Sequence, residues 1–142
     1  MKTRIAINGF GRIGRNLFRL LLNHPTIEVV AINDIADNKT MAHLVKYDSI
    51  HGVLNQKVSF SEDSIIIDDK SYLFFHEREI KNLDWKSINV DIVIESTGKF
   101  KSFEEINQHI LAGAKKVILS APSEVDEIKT VVLGVNEHIL DG

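Results

Sequence analysis

The chain has 142 residues, with 17 Lys and Arg against 20 Asp and Glu, a net charge of −3 and 44% apolar residues. That is enough for one domain with a sizeable core, and the slight acidic balance excludes a generally basic nucleic-acid binder. With no cysteine there is no disulfide framework, no thiolate metal site and no thiol nucleophile, and no apolar run approaches the ~18 residues of a membrane span.

Residues 1–4 lead straight into a short apolar stretch rather than into an export signal. Ile5, Ala6 and Ile7 predict a buried strand, and the glycines over 9–14 a turn. Ile13, Leu17, Leu20 and Leu21, spaced i, i+4, i+7, i+8, predict an amphipathic helix that Asn23-His24-Pro25 stops. A strand over 27–32 closes a βαβ unit of the expected size. Met41, Leu44 and Val45 mark a short helix over 40–47. Short strands at 58–60, 65–67 and 72–75, separated by turn-like Ser61-Glu62-Asp63 and Asp68-Asp69-Lys70, predict an antiparallel meander at the sheet's edge. Residues 83–88 read as a short helical turn or a connector.

A buried strand over 92–94 is followed by a helix headed by a Ser102/Glu105 capping box, with Phe103, Ile106, Ile110 and Leu111 as its apolar face and Gly113 as its stop. Strands over 117–119 and 131–133 complete the pattern. The whole predicts one α/β domain over 1–142: a doubly wound, mainly parallel sheet with a small antiparallel insertion, binding its ligand at the carboxyl ends of the strands.

Gly9-Phe10-Gly11-Arg12-Ile13-Gly14 is a G-x-G-x-x-G that follows a strand and opens a helix, the context in which the motif cradles a dinucleotide. Gly9 permits the tight turn, Gly11 lets backbone approach a pyrophosphate, and Gly14 lets the helix pack close to the strand. Arg12 and Arg15 oppose the helix dipole in the first turn, which a bound pyrophosphate would offset. Asp34 stands twenty positions after Gly14, where a carboxylate accepts hydrogen bonds from the adenosine ribose and repels a 2′-phosphate. With no Arg beside Asp34, NAD is expected over NADP; the plainer role for Asp34 is to cap the next loop.

From Asn8 through the glycine motif to Arg15, the sequence resembles the glyceraldehyde-3-phosphate dehydrogenase family. Further blocks recur in order: Asn33-Asp34, Lys46 to Gly52, Glu77-Arg78, Glu95 to Phe100, Ala112 to Val117, Ser120 to Ser123, and Gly134-Val135-Asn136. Erythrose-4-phosphate dehydrogenase, a near relative, shares many of them.

The resemblance implies the Rossmann-type NAD-binding domain of a cytoplasmic, homotetrameric, glycolytic oxidoreductase. Such an enzyme oxidises a sugar-phosphate aldehyde, passes hydride to NAD and takes up inorganic phosphate; neither a membrane nor a nucleic acid is an expected partner. Arg12 and Ile13 would present backbone N–H groups to the pyrophosphate, and Asp34 would hold the ribose. Arg78 would lie near the adenine. Ser96, Thr97, Gly98 and Phe100 would line the channel, with Ser120 and Ala121 toward the nicotinamide. Asn8, Phe10 and Asn33 complete the expected site. Ile80 stands where many members have proline.

The family's cysteine nucleophile, its general-base histidine and its phosphate-binding residues lie beyond the last matching block. The chain alone is therefore expected to bind NAD without turnover. The competing readings are the cofactor domain of erythrose-4-phosphate dehydrogenase and a stand-alone NAD-binding regulatory module. The six histidines match no zinc spacing. His43 reads as a helix-surface residue, His51 as part of a structural or interface loop, and Phe103 as core. Phe100 is balanced between core and cofactor wall, and Lys99 and Lys101 between solvated charges and added positive potential.

Overall fold

In the computed structural model, which describes residues 1–123 and 125–140, the first strand runs over Thr3–Asn8 (β1) and the glycine turn leads into helix α1 (Arg12–Leu21). Strand β2 (Ile27–Asn33) returns parallel to β1, and α2 (Asn38–Lys46) follows behind an Asp37 cap whose side chain accepts from Thr40 N. A two-residue hairpin, β3 (Tyr47–Asp48) with β4 (Gly52–Val53), stands apart from the main sheet. The meander forms as β5 (Val58–Phe60), β6 (Ser64–Ile67) and β7 (Lys70–Phe75). Strand β8 (Ile92–Glu95), helix α3 (Phe103–Leu111) and strand β9 (Lys116–Leu119) make the second βαβ unit. The expected domain end at Gly142 lies outside the described residues.

The seven-stranded sheet has the order β5-β6-β7-β2-β1-β8-β9. Strands β7, β2, β1, β8 and β9 are parallel, and β6 and β5 extend that edge antiparallel, so the meander continues the sheet where the sequence places it. The strand-order reversal falls at β1, between its neighbours β2 and β8, which puts the ligand crevice of a doubly wound sheet at their carboxyl ends.

Alternation along the central strands separates two cores. Ile5, Ile7 and Ile32 face α1 and α2, where Phe10, Phe18, Tyr72 and Phe74 are buried with them. Their rings meet edge to face, at 5.4 Å for Phe10–Phe18, 5.8 Å for Phe10–Phe74 and 4.9 Å for Phe18–Tyr72. Ala6, Ala31 and Val93 face the other side, packed with Leu83, Trp85, Val90 and Ala114.

Three expectations are corrected. The apolar face of α1 is turned: Ile13 and Leu20 are exposed, Leu17 is half-buried, and Phe18 with Leu21 and Gly14 docks the helix. On α3, Phe103, Ile110 and Leu111 are exposed, while Ile106 and His109 are buried. His109, which accepts from Trp85 Nε1 at 3.0 Å, ties this face to the 83–90 connector, and Phe103, Ile110 and Leu111 are left uncovered by the described residues. No strand forms over 131–133, because Asn136 closes the segment as a turn: its Oδ1 accepts from Val132 N at 2.6 Å and its Nδ2 donates to Thr130 O at 2.9 Å.

Candidate functional site

The parallel register sets Asn8 opposite Asn33 on one side and Glu95 on the other. Three polar residues thus stand in a row across the carboxyl ends of β2, β1 and β8, all buried. Above them opens a cleft of about 520 Å³ lined by Asn8, Gly9, Gly11, Asn33, Asp34, Ile35, Glu77, Arg78, Ile80, Ser96, Thr97, Lys99 and Phe100.

The glycines of the turn do three different jobs. Gly9 has φ +96° and lies so close to the neighbouring turn that an added Cβ would sit 2.5 Å from Thr97 N. At Gly14 the added carbon would be 2.2 Å from the Gly9 carbonyl oxygen, which is how closely α1 sits against the turn. At Gly11 it would meet nothing within 4 Å, so this position is open space on the cleft wall. Gly11 is also the N-cap of α1, with no side-chain cap and no acidic residue in the first turn. Among the described residues the first N–H groups of α1 therefore have no side-chain acceptor, and the positive end of the helix dipole, a favourable place for an anion, faces out uncapped.

Side chains fix this geometry. Phe10 N donates to Asp34 Oδ2 at 2.7 Å, and Ala36 N donates to Asp34 Oδ1 at 3.0 Å. Asp34 so ties the glycine turn to the end of β2 and also caps its own loop. Each oxygen keeps a further lone pair for a ligand hydroxyl. Arg15 Nη1 donates to Phe10 O at 2.9 Å; burial lowers the Arg15 guanidinium from its ordinary range, against the opposing charges of Asp48 and Asp34. Ser96 Oγ donates to Gly9 O at 2.6 Å and to Asn8 O at 3.2 Å, locking the 96–98 turn onto the glycine turn.

Of the residues expected from sequence, Asn8, Gly9, Gly11, Asn33, Asp34, Arg78, Ser96, Thr97 and Phe100 come together on this cleft. Arg12 and Ile13 are exposed at the head of α1, Phe10 is fully buried behind the wall, Gly14 lies beneath the turn, and Gly98 shapes its loop with φ +71°. Ser120 and Ala121 instead line a separate cleft of about 550 Å³ with residues of β9 and 128–131. Ile35, Glu77, Ile80 and Lys99 are lining residues beyond the expected set. Sequence reading also passed over Glu95 and His109 as partners: Glu95 Oε2 lies 2.9 Å from His109 Nε2, with both side chains fully buried. The one available signal was a carboxylate directly following the apolar run Ile92-Val93-Ile94.

An open Gly11, an uncapped helix and a carboxylate at the end of β2 suit an anionic dinucleotide with a free ribose diol, and the fold with this cleft defines a dinucleotide-binding domain. A family model described as the NAD-binding domain of glyceraldehyde 3-phosphate dehydrogenase matches residues 3–103. Glyceraldehyde-3-phosphate dehydrogenase of Geobacillus stearothermophilus is 50% identical over 141 residues, covering 99% of this chain and 42% of the relative. The enzymes of that name from Mycoplasma pneumoniae and Thermotoga maritima are 51% and 52% identical, covering 97% and 96% of this chain and 41% of each relative. The chain belongs to the glyceraldehyde-3-phosphate dehydrogenase family, as its NAD-binding domain. It spans about two fifths of the length of these relatives.

Proposed function

We propose that this domain holds NAD for an enzyme that oxidises and phosphorylates glyceraldehyde 3-phosphate. The observation that carries this reading is the uncapped N-terminus of α1 opening onto the same cleft as Asp34. In the proposed roles, Gly11, Arg12 and Ile13 present backbone to the pyrophosphate, and Asp34 accepts from the ribose diol. Arg78 lies toward the adenine, and Ser96, Thr97, Gly98 and Phe100 form the wall. Ser120 and Ala121, beyond this cleft, serve the nicotinamide side. Bound NAD supplies the hydride acceptor; the residues of this domain bind and orient it.

The 142 residues contain no cysteine and so offer no thiol nucleophile, and in this reading the chain alone binds without turnover. The whole enzyme is proposed to be a cytoplasmic homotetramer that uses inorganic phosphate as co-substrate. Among the described residues no helix is long and apolar enough to cross a membrane.

Calorimetric titration with NAD and NADP tests the binding role. The expected result is NAD binding with NADP at least about tenfold weaker, and equal affinity would remove the Asp34 role. For the activity, the full-length polypeptide is assayed for phosphate-dependent NAD reduction with glyceraldehyde 3-phosphate and with erythrose 4-phosphate. Preference for the four-carbon substrate would reassign the enzyme.

A further inference from the structure

The buried carboxylate of Glu95 sits at the centre of a polar chain that crosses the sheet from the Trp85 side to the cleft. Glu95 Oε2 accepts from Asn8 Nδ2 at 2.6 Å and from His109 Nε2 at 2.9 Å. Its other oxygen accepts from Thr97 N at 2.9 Å and from the Thr97 hydroxyl. Trp85 Nε1 donates to His109 Nδ1 at 3.0 Å, so Nε2 carries the ring proton and points it at Glu95. On the far side, Asn33 Nδ2 donates to Asn8 Oδ1 at 2.7 Å, and Glu77 N donates to Asn33 Oδ1 at 2.8 Å. The Glu77 N–H sets the Asn33 amide, Asn33 sets Asn8, and Asn8 then turns its NH₂ to the carboxylate. One assignment satisfies every member.

This arrangement demands an ionised carboxylate. Four donors converge on Glu95 from three residues, and a glutamine in its place would turn an NH₂ toward two of them in either orientation. Burial pushes the Glu95 carboxyl up, but the hydrogen bonds from His109, Thr97 and Asn8 outweigh it and leave the group below the ordinary carboxylate range. A buried charge is a costly way to fill a core, and apolar side chains in place of Glu95 together with its donors would fill this space more cheaply. What the charge does instead is hold two cleft walls, Asn8 and the Thr97 turn, on one anchor.

We infer that Glu95 and His109 are positioning residues for the cofactor cleft. Glu95 fixes the spacing between Asn8 and Thr97, and His109, aimed by Trp85, ties that spacing to α3 and the 83–90 connector. Neither residue lines the cleft. The inference rests on the reading of that cleft as the NAD site.

The test compares NAD affinity of the wild-type protein, Glu95→Gln and Val93→Ala by calorimetry. Val93 is fully buried on the same strand, outside the polar chain, and its truncation serves as a matched packing lesion. Glu95→Gln is expected to weaken NAD at least about tenfold. Val93→Ala should bind within about twofold of wild type. Glu95→Gln binding like wild type, or Val93→Ala losing as much, overturns the inference. A wild type that does not bind NAD at all overturns the cleft assignment itself, which separates the two failures.

A second readout needs no folded variant. Nitrogen-15 spectra of histidine in the wild-type protein should show His109 protonated at Nε2, with that signal shifting on NAD saturation. A His109 signal indifferent to NAD overturns the positioning role.

Discussion

Helices α1 and α3 occupy equivalent places in the two βαβ units, yet their N-termini are finished in opposite ways. On α3, Ser102 and Glu105 close a complete capping box: Glu105 N donates to Ser102 Oγ at 3.2 Å and Ser102 N donates to Glu105 Oε2 at 3.1 Å. The Ser102 hydroxyl and Lys101 N also donate to that carboxylate, each at 3.0 Å. On α1 the cap is a glycine with no side chain to offer, and two arginines rather than acids occupy the first turn. One helix closes its head with side chains of its own, and the other has no side-chain cap. The docking faces differ as well, since α1 sends Phe18 into an apolar aromatic cluster while α3 buries His109 in a polar chain. The helix without a side-chain cap is thus the one anchored through an aromatic ring.

The largest test of that contrast is the anchor. Phe18→Ala removes the ring that meets both Phe10 and Tyr72, and is expected to lower unfolding stability by about 3–5 kcal/mol in denaturant titrations. A loss under 1 kcal/mol (roughly, as for an exposed side chain) would show that α1 is held by something else.

Next comes conversion of the open terminus into a closed one. Gly11 has φ −74° and free space at its Cβ, so Gly11→Asp fits without strain. The new carboxylate should stabilise α1 by a few tenths of a kcal/mol and weaken NAD about tenfold or more by occupying the anion's place. Unchanged NAD affinity would show that the pyrophosphate does not lie there.

The reverse operation on α3 is smaller. Ser102→Ala should cost about 1 kcal/mol and leave NAD affinity unaltered, since neither Ser102 nor Glu105 lines the cleft. Smaller still is the pH effect. Backbone N–H groups of Ser102 and Lys101, then the Ser102 hydroxyl, hold the Glu105 carboxyl below its ordinary value of 4.5. The cap's contribution is thus complete above pH 4.5 and fades as pH falls through the lowered value, visible as loss of α3 amide protection in hydrogen exchange. Protection that persists unchanged through acid would contradict the Glu105 role.

Much of the site was legible because local chemistry wrote it. The glycine spacing, the strand before it and Asp34 at the end of β2 each follow from what one short segment must do. The capping box is equally local, and Ser102 and Glu105 meet as their spacing requires. The helix faces were harder. Ile13 and Leu20 have the right period on α1, but Phe18 docks it, because ring size and the neighbouring Phe10 and Tyr72 decide which stripe turns inward. Val131, Val132 and Leu133 look like a strand by composition, yet a strand needs a partner, and Asn136 takes the backbone into a turn instead.

The alternation of elements, the dinucleotide turn and the acidic residue after β2 were determined by the sequence alone, since each depends on contacts within a few residues or one βαβ unit. Tertiary structure decided which polar groups share a core. Asn8, Asn33 and Glu95 come from three strands far apart in the chain, and His109 and Trp85 from two further elements. Only parallel register and the packing of α3 bring their hydrogen-bonding atoms within 3.0 Å of one another. A hydrogen bond tolerates an error of a few tenths of an ångström, and no spacing along a sequence specifies distance across a sheet that finely.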